Sequence, residues 1–272
     1  MNTSKIETFI VDSFTDQAFK GNPAGVCISE TALDIRLMTS IAKELNLSET
    51  AFISKSDELA CYSIRYFSPK MEIPLCGHAT LAASKILFDK TGLKEIAFTT
   101  IQDINLIIKS FGNHILMEFP IYMTVPSFAP PPLLDALGIK ESINSEYNEE
   151  TNILLIEIES ANELSSLSPD FEALYKSHDS INGVLVTAKS NDSVYDFHSR
   201  YFWPWSGTNE DPVTGGTHTF LSKYWAKRLN KTKMNSFQSS KRTGSMEVEL
   251  VTDSKLIIKG QAVIVFEGHL IL

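Results

Sequence analysis

Cysteine is scarce: Cys27, Cys61 and Cys76 are the only three in 272 residues. They are too few and too unpatterned for a disulfide scaffold or a zinc site. The six histidines form no HxH or HxxxH pair, so metal binding is poorly supported and no metal is expected. Phosphate-loop and dinucleotide fingerprints are absent, and no cofactor is expected. The GxSxG turn of one large hydrolase class is missing too, although a Ser-His-Asp arrangement is not thereby excluded. Lys and Arg number 24 against 33 Asp and Glu, a formal net charge of −9. With no basic run, that balance argues against a nucleic-acid partner. No stretch approaches the ~18 apolar residues of a membrane span, and MNTSKIETFIVDSF carries no apolar core of signal-peptide length. The expected setting is a reducing compartment, most simply the cytoplasm, with no membrane partner.

What the chain does have is apolar periodicity, and it has it twice. Hydrophobic residues make up 43% of the chain, enough for a sizeable core in one large domain or two smaller ones. A strand over 6–14, a Gly-Asn-Pro turn at 21–23 and a second strand lead to an amphipathic helix over 33–46. There Ile35, Met38, Ile41, Ala42 and Leu45 share one face. An aromatic strand over 61–68, a Pro-containing turn, Gly77 and an apolar helix to about Asp89 follow, then three strands. The Pro-rich stretch 125–132 breaks the periodicity and reads as a linker. Beyond it the order begins again: a strand over 152–159, a short helix over 170–177, strands over 183–189 and 195–202, then the turn NEDPVTGGTH (209–218) and an apolar-periodic helix. Closing strands are expected over 246–253, 255–259 and 262–266.

CGHAT (76–80) can be laid on TGGTH (214–218), and Ile35 precedes Gly77 by nearly the interval at which Phe171 precedes Gly215. The expected fold is therefore α+β: two pseudo-symmetric halves, each a mostly antiparallel sheet rolled around a central helix. A helix with as few polar positions as LAASKILF belongs inside such a sheet. The halves are expected over 1–125 and 126–259, with 260–272 crossing back to the first and an active-site cleft between them.

A helix start leaves N–H groups without partners and carries partial positive charge; glycines there let an anion come close. Cys76, Gly77, Gly215, Gly216 and Thr217 are accordingly candidate substrate contacts. Glu210 and Asp211 stand just before the second turn, where carboxylates repel an anion unless they have another job. Asp211 is a candidate to bind the helix start or orient a substrate. Glu49, in SETAF, lies between a helix and a strand; the same interval counted back from Gly215 lands near Thr187, so the second half has no matching acid. His78, on the first turn of its helix, is expected to stay neutral, because positive charge is disfavoured there. The same position lowers a thiol pKa at Cys76, but Cys76 has Thr214 as its counterpart, so a matched thiol pair is absent. His218 sits later in its turn and could face the core.

Five stretches together carry a resemblance: VDSFTDQAFKGNPAGV (11–26), NLSETAF (46–52), RYFSPKMEIPLCGHATLA (65–82), SRYF (199–202) with EDPVTGGTH (210–218), and QSSKRTG (238–244). The chain resembles the PhzF-like isomerases, the phenazine-biosynthesis-like family, over nearly its whole length. The resemblance implies a diaminopimelate epimerase-like fold with the site between two similar halves. It implies that Glu49 is the proton-transferring acid/base, that His78 and Asp211 line the site, and that backbone amides near Gly77 and at Gly216 hold a substrate carboxylate. The family usually reads TGSAH where this chain reads TGGTH, so Gly216 replaces a serine hydroxyl that Thr217 can stand in for. A homodimer is expected from the resemblance and from the aromatic-rich run Phe197, Tyr201, Phe202, Trp203 and Trp205, the two tryptophans being equally suited to wall the site.

One carboxylate on one side suits removal of a proton and its return elsewhere on the same face. The expected function is an isomerase working on a small carboxylate-containing metabolite by single-base proton migration. Such a Glu works best when desolvation raises its pKa toward the working pH. The competing readings are a non-catalytic module binding a small anion or a protein, and, weakest, a two-base racemase.

Overall fold

The computed structural model describes residues 5–56 and 60–272. The chain divides into two compact units, one of residues 1–118 with 258–272 and one of 119–257. Unit 1 opens with β1 (Lys5–Ser13), β2 (Asn22–Ser29), α1 (Ile35–Leu45), β3 (Glu49–Lys55), β4 (Cys61–Phe67) and β5 (Glu72–Ile73). It continues through α2 (Gly77–Thr91), β6 (Glu95–Thr99), β7 (Asn105–Phe111) and β8 (His114–Pro120). β1 pairs antiparallel with β2, β2 parallel with β3, β3 antiparallel with β4, β4 antiparallel with β5, β4 parallel with β6, and β6 antiparallel with β7. The parallel β4–β6 step is bridged by α2, which is buried from His78 to Ser84 and again over Ile86, Leu87 and Phe88. A helix apolar on all faces has to lie inside, and α2 packs against β1, β2 and β3. Its amphipathic neighbour α1 covers the other face of the sheet, with Met38, Ile41 and Ala42 against Ile6, Cys27, Phe52 and Phe67.

Unit 2 comprises β9 (Val125–Pro126), α3 (Pro131–Leu137), β10 (Asn144–Asn148), β11 (Ile153–Glu157), α4 (Ala161–Ser166) and α5 (Phe171–Lys176). β12 (Gly183–Lys189), β13 (Phe197–Trp203), β14 (Thr208–Asp211), α6 (His218–Leu229), β15 (Lys233–Gln238) and β16 (Gly244–Leu250) follow. β10 pairs antiparallel with β11, β11 parallel with β12, β12 antiparallel with β13, β13 antiparallel with β14, β13 parallel with β15, and β15 antiparallel with β16. That is the unit 1 sequence of pairings, repeated step for step with α6 in the place of α2. The chain re-enters unit 1 within β17 (Lys255–Gly260), and β18 (Ala262–Ile271) runs antiparallel to β1. Each unit is thus a mixed, mostly antiparallel sheet about one buried helix.

The repeat reaches single residues. Arg65-Tyr66-Phe67 on β4 and Arg200-Tyr201-Phe202 on β13 are the same triplet. Arg65 grips Glu72 on β5 through two hydrogen bonds of 2.7 and 2.6 Å; Arg200 grips Glu210 on β14 through two of 2.7 and 2.9 Å. A guanidinium and a carboxylate matched in this fork geometry hold the short return strand that leads into each central helix.

Some elements differ from the sequence reading. Val125–Pro132 is no linker: Val125 and Pro126 pair with β10, and Pro131 opens α3, all within unit 2. Proline at the first helical position starts a helix as readily as it breaks one. β10 (NSEYN) and β15 (KMNSFQ) escaped periodicity because their inward positions carry polar groups, such as Asn148, Ser236 and Gln238. The second central helix begins at His218; Gly215 and Gly216 lie before it, in a tight lead-in where the His218 N–H donates to the Gly215 carbonyl.

Candidate active site

In unit 1 the first residue of β3 and the start of α2 meet. Cys76, in extended conformation, is the N-cap of α2 and makes no side-chain cap bond. Its neighbour His78 is buried with its Nε2 3.2 Å from Glu49 Oε2. Cys76 Sγ lies 3.4 Å from His78 Nδ1 and 3.9 Å from Nε2. Ser48 Oγ stands 3.5 Å from Nε2 and Asn22 Nδ2 3.4 Å from Nδ1. The Ser13 hydroxyl donates to the His78 carbonyl at 2.7 Å and ties β1 to the first turn of the helix. Asn22 reaches His78 because Gly21 turns the chain with φ of +66°; a Cβ there would stand 2.1 Å from the Ser13 carbonyl oxygen. Only glycine fits. The amides of Gly77, His78 and Ala79 donate to none of the described residues, as expected of a helix start.

The electrostatics of this cluster invert two expectations. Burial works against a charged His78, but Cys76 and Glu49 outweigh it and raise its pKa well above 6.5. The partial charge of the helix start, about half a unit, is outweighed by Cys76 and by the Glu49 carboxylate at hydrogen-bond distance. Burial likewise works to raise Glu49, but hydrogen bonding and charge from His78, with help from Ser48, hold it below 4.5. Each partner therefore favours the ionised form of the other, and Glu49 is not poised near neutrality as burial alone would make it.

In unit 2 the turn between β14 and α6 is fastened from several sides. Asp211, buried at the end of β14, accepts a hydrogen bond from the Thr214 hydroxyl. Gln238 accepts from the Thr214 N–H at 2.9 Å and donates to the Asp211 carbonyl at 2.8 Å. Ser240 donates to the Pro212 carbonyl at 2.5 Å. Gln238 and Ser240 come from the QSSKRTG stretch, whose place in the turn was not visible in the sequence. The amides of Gly215, Gly216 and Thr217 donate to none of the described residues, which makes successive open N–H groups of the kind that bind anions. The Thr217 hydroxyl is turned inward, donating to the Thr214 carbonyl at 3.0 Å.

Glu210, the other half of the acid pair, is spent on Arg200, which also donates to the carbonyls of Leu164 and Leu167. Its job is structural. His218 does face the core: Nδ1 donates to the Thr214 carbonyl at 3.0 Å and Nε2 accepts from Ser236 at 2.6 Å. Burial pushes its pKa down to about 4.

The aromatic run is also spent inside unit 2. Phe197 stacks on Trp225 with centroids 5.6 Å apart, Phe202 packs on Phe171, and Trp205 donates to the carbonyls of Tyr175 and His178.

The structure therefore gathers Glu49, Cys76, Gly77 and His78 in unit 1, and Asp211, Gly215, Gly216 and Thr217 in unit 2. Sequence reasoning missed Asn22, although its GNP turn was noted. It also missed that Cys76 belongs to the same cluster as Glu49 and His78. Among the described residues no helix is long and apolar enough to cross a membrane.

Comparison with known proteins gives the family and the fold. A family model described as "Phenazine biosynthesis-like protein" matches residues 11–268. An uncharacterized isomerase of Halalkalibacterium halodurans is 40% identical over 97% of this chain and 98% of its own length. Phenazine biosynthesis-like domain-containing protein 1 of Mus musculus is 38% identical over 98% of this chain and 99% of its own. The crystal structure of a PhzF-family phenazine biosynthesis protein from Enterococcus faecalis superposes with a TM-score of 0.92 at 36% identity, covering 99% of this chain and 100% of that one.

Proposed function

The chain belongs to the phenazine biosynthesis-like protein family, and we propose that it is an isomerase that moves a proton between two positions of a small carboxylate-bearing metabolite. The observation that carries this reading is the pairing of half-buried Glu49 with buried His78 at the start of α2. Relatives bearing the name isomerase support the class of reaction; the single-base step and the substrate class are our reading.

In that reading Glu49, ionised at rest, takes a proton from a carbon next to an electron-withdrawing group. The electron pair of the broken C–H bond moves into the adjoining π-system, and the double bond shifts. Glu49, now a carboxylic acid, returns the proton to another carbon on the same face, so no proton is gained or lost. The His78 imidazolium stabilises the charge that develops on the intermediate. The open amides of Gly215, Gly216 and Thr217 are the proposed anchor for the substrate carboxylate, with Asp211 and Thr214 fixing that turn. No group beyond these side chains is called for.

The Cys76 thiol, 3.4 Å from His78, favours one second reading, in which it serves as another proton-transfer group and the same carbon is inverted. Incubation of the protein with a panel of small carboxylates in D2O, followed by mass spectrometry and chiral analysis, separates the readings. Proton migration is expected to yield a rearranged product that keeps part of the substrate's own hydrogen. Inversion at one carbon with full deuterium uptake would favour the two-base racemase. No exchange in any carboxylate would leave a binding module.

A further inference from the structure

We infer that Glu49, Cys76 and His78 form a binding site for one thiophilic divalent cation of the zinc class, and that the bound cation turns the catalytic pair off. The inhibitory half rests on the isomerase reading above; the binding half does not. The three residues offer a carboxylate oxygen, a thiol sulfur and an imidazole nitrogen, all within 4.8 Å of one another. Nε2 of His78 stands 3.2 Å from the Glu49 oxygen and 3.9 Å from the Cys76 sulfur. Zinc binds sulfur at about 2.3 Å and nitrogen or oxygen at about 2.0–2.2 Å in a tetrahedron, so its neighbouring ligands stand roughly 3.3–3.6 Å apart. The sulfur lies nearer Nδ1, at 3.4 Å, than Nε2, so the Cys76 side chain, which makes no cap bond, has to swing toward Nε2 for one cation to meet all three ligands.

The donor set also selects the ion. Sulfur with imidazole favours zinc, cobalt or cadmium over magnesium or calcium, which take oxygen. The helix start opposes a cation, but two of the three ligands are anionic when bound and offset a double positive charge. The ligands are carried by β3 and by the first turn of α2 rather than by a mobile loop, so little is lost in ordering them. Three protein ligands leave a fourth position for water. The cation would take the Glu49 oxygen that removes the substrate proton and the His78 nitrogen that faces it. Metal binding here is therefore incompatible with the proton transfer proposed above.

The test uses the whole protein, stripped with a chelator and titrated with Co²⁺ as a spectroscopic probe, then with Zn²⁺ in competition. A thiolate-to-cobalt charge-transfer band and intense tetrahedral d–d bands should appear at one equivalent and be displaced by zinc. Cys76→Ser should abolish the charge-transfer band, whereas Cys61→Ser should keep it. Glu49→Gln, nearly isosteric, should keep the band and weaken cobalt at least ~10-fold, the lower bound for losing even an outer-shell contact. This variant decides the matter if Cys76→Ser fails to fold. A wild-type spectrum without a thiolate band, or one unchanged in Cys76→Ser, overturns the site. Deuterium exchange is then followed against zinc occupancy, with loss in proportion to occupancy expected. Exchange that needs zinc overturns the inhibitory role. An absence of exchange from the metal-free protein overturns the isomerase reading, while the cobalt spectrum still decides the site.

Discussion

Glu49 Oε2 lies 3.2 Å from His78 Nε2, joining the first residue of β3 to the second residue of α2. Each partner sets the charge of the other against burial: the carboxyl is held below 4.5 and the imidazole raised well above 6.5. An ion pair of this kind, with one partner buried and the other half-buried, is weak as a source of stability, because desolvation consumes most of the attraction. It is better explained as a base kept ionised beside a positive charge that the reaction can use.

Replacement of Glu49 by Gln keeps the size and one acceptor oxygen but removes the site for the proton. General acid–base groups typically contribute on the order of 10²–10⁴-fold, so hydrogen exchange at the substrate carbon should fall by that range. Affinity for the substrate carboxylate should survive, since backbone amides are its proposed anchor. Asp211→Asn should lower affinity as well as rate. Isotope exchange and calorimetry on both variants check this, and parent-like exchange in Glu49→Gln would place the base elsewhere, with Cys76 next in line.

The Arg200–Glu210 fork should prove to be the stronger of the two repeated clamps. Its side chains are 9% and 16% exposed, against 20% and 21% for Arg65 and Glu72. Removing one partner of a buried pair strands the other charge, at a cost of about 3 kcal/mol. Glu210→Gln should lose about that much in urea unfolding, and Glu72→Gln clearly less. Equal losses would mean that the carbonyls of Leu164 and Leu167 compensate Arg200.

Much of this was legible in the sequence, and the illegible part has a common cause. The buried helices announced themselves by lacking a polar face, and the repeat by the recurrence of aromatic strand, turn and glycine. The Arg-Tyr-Phe triplet was present in both halves, but the Glu partners fall at unequal distances, Glu72 after Arg65 and Glu210 after Arg200, with the Pro204–Ser206 3-10 turn inserted in the second. Spacing alone could not pair them. Glu49 and His78 were found separately, but their charges depend on a contact between a strand and a helix, which no local rule for helix starts contains. Gln238 and Ser240 looked like surface polar residues because their partners are carbonyls and amides of another loop.

His218 should carry a measurable part of the acid sensitivity of the fold. Its pKa falls from 6.5 to about 4 by burial, so between those values the unfolded chain binds a proton that the native state refuses. Stability therefore decreases as pH falls from 6.5 to about 4, by about 3 kcal/mol at ~1.4 kcal/mol per pH unit. Over the upper part of that window the Glu49–His78 pair changes little. A lowered Glu49 contributes fully above 4.5, and a raised His78 contributes fully below 6.5. Urea unfolding of the parent and of His218→Gln across pH should show the extra slope in the parent alone. The parent's His218 resonances should report a neutral ring down to about pH 4; titration near 6.5 would remove the argument.

Gly216 is the position where this chain can be changed without disturbing its fold. Its φ is not in the left-handed region, and a Cβ built on it meets no heavy atom within 4 Å. Glycine is therefore required neither by the backbone nor by packing, unlike Gly21. Gly216→Ser should leave stability within about 0.5 kcal/mol, the usual range for an unconstrained surface position. It would add a hydroxyl beside the open amides of Gly215, Gly216 and Thr217, which the inward-turned Thr217 hydroxyl does not supply. If those amides hold the substrate carboxylate, the variant should change which carboxylates bind, gaining on those that offer a further hydrogen-bonding group and losing on the bulkiest. Competition among a panel of small carboxylates, measured by calorimetry on parent and variant, checks this. An unchanged ranking would move the anchor away from Gly216, and a large loss of stability would mean that the open space beside it is needed by the chain itself.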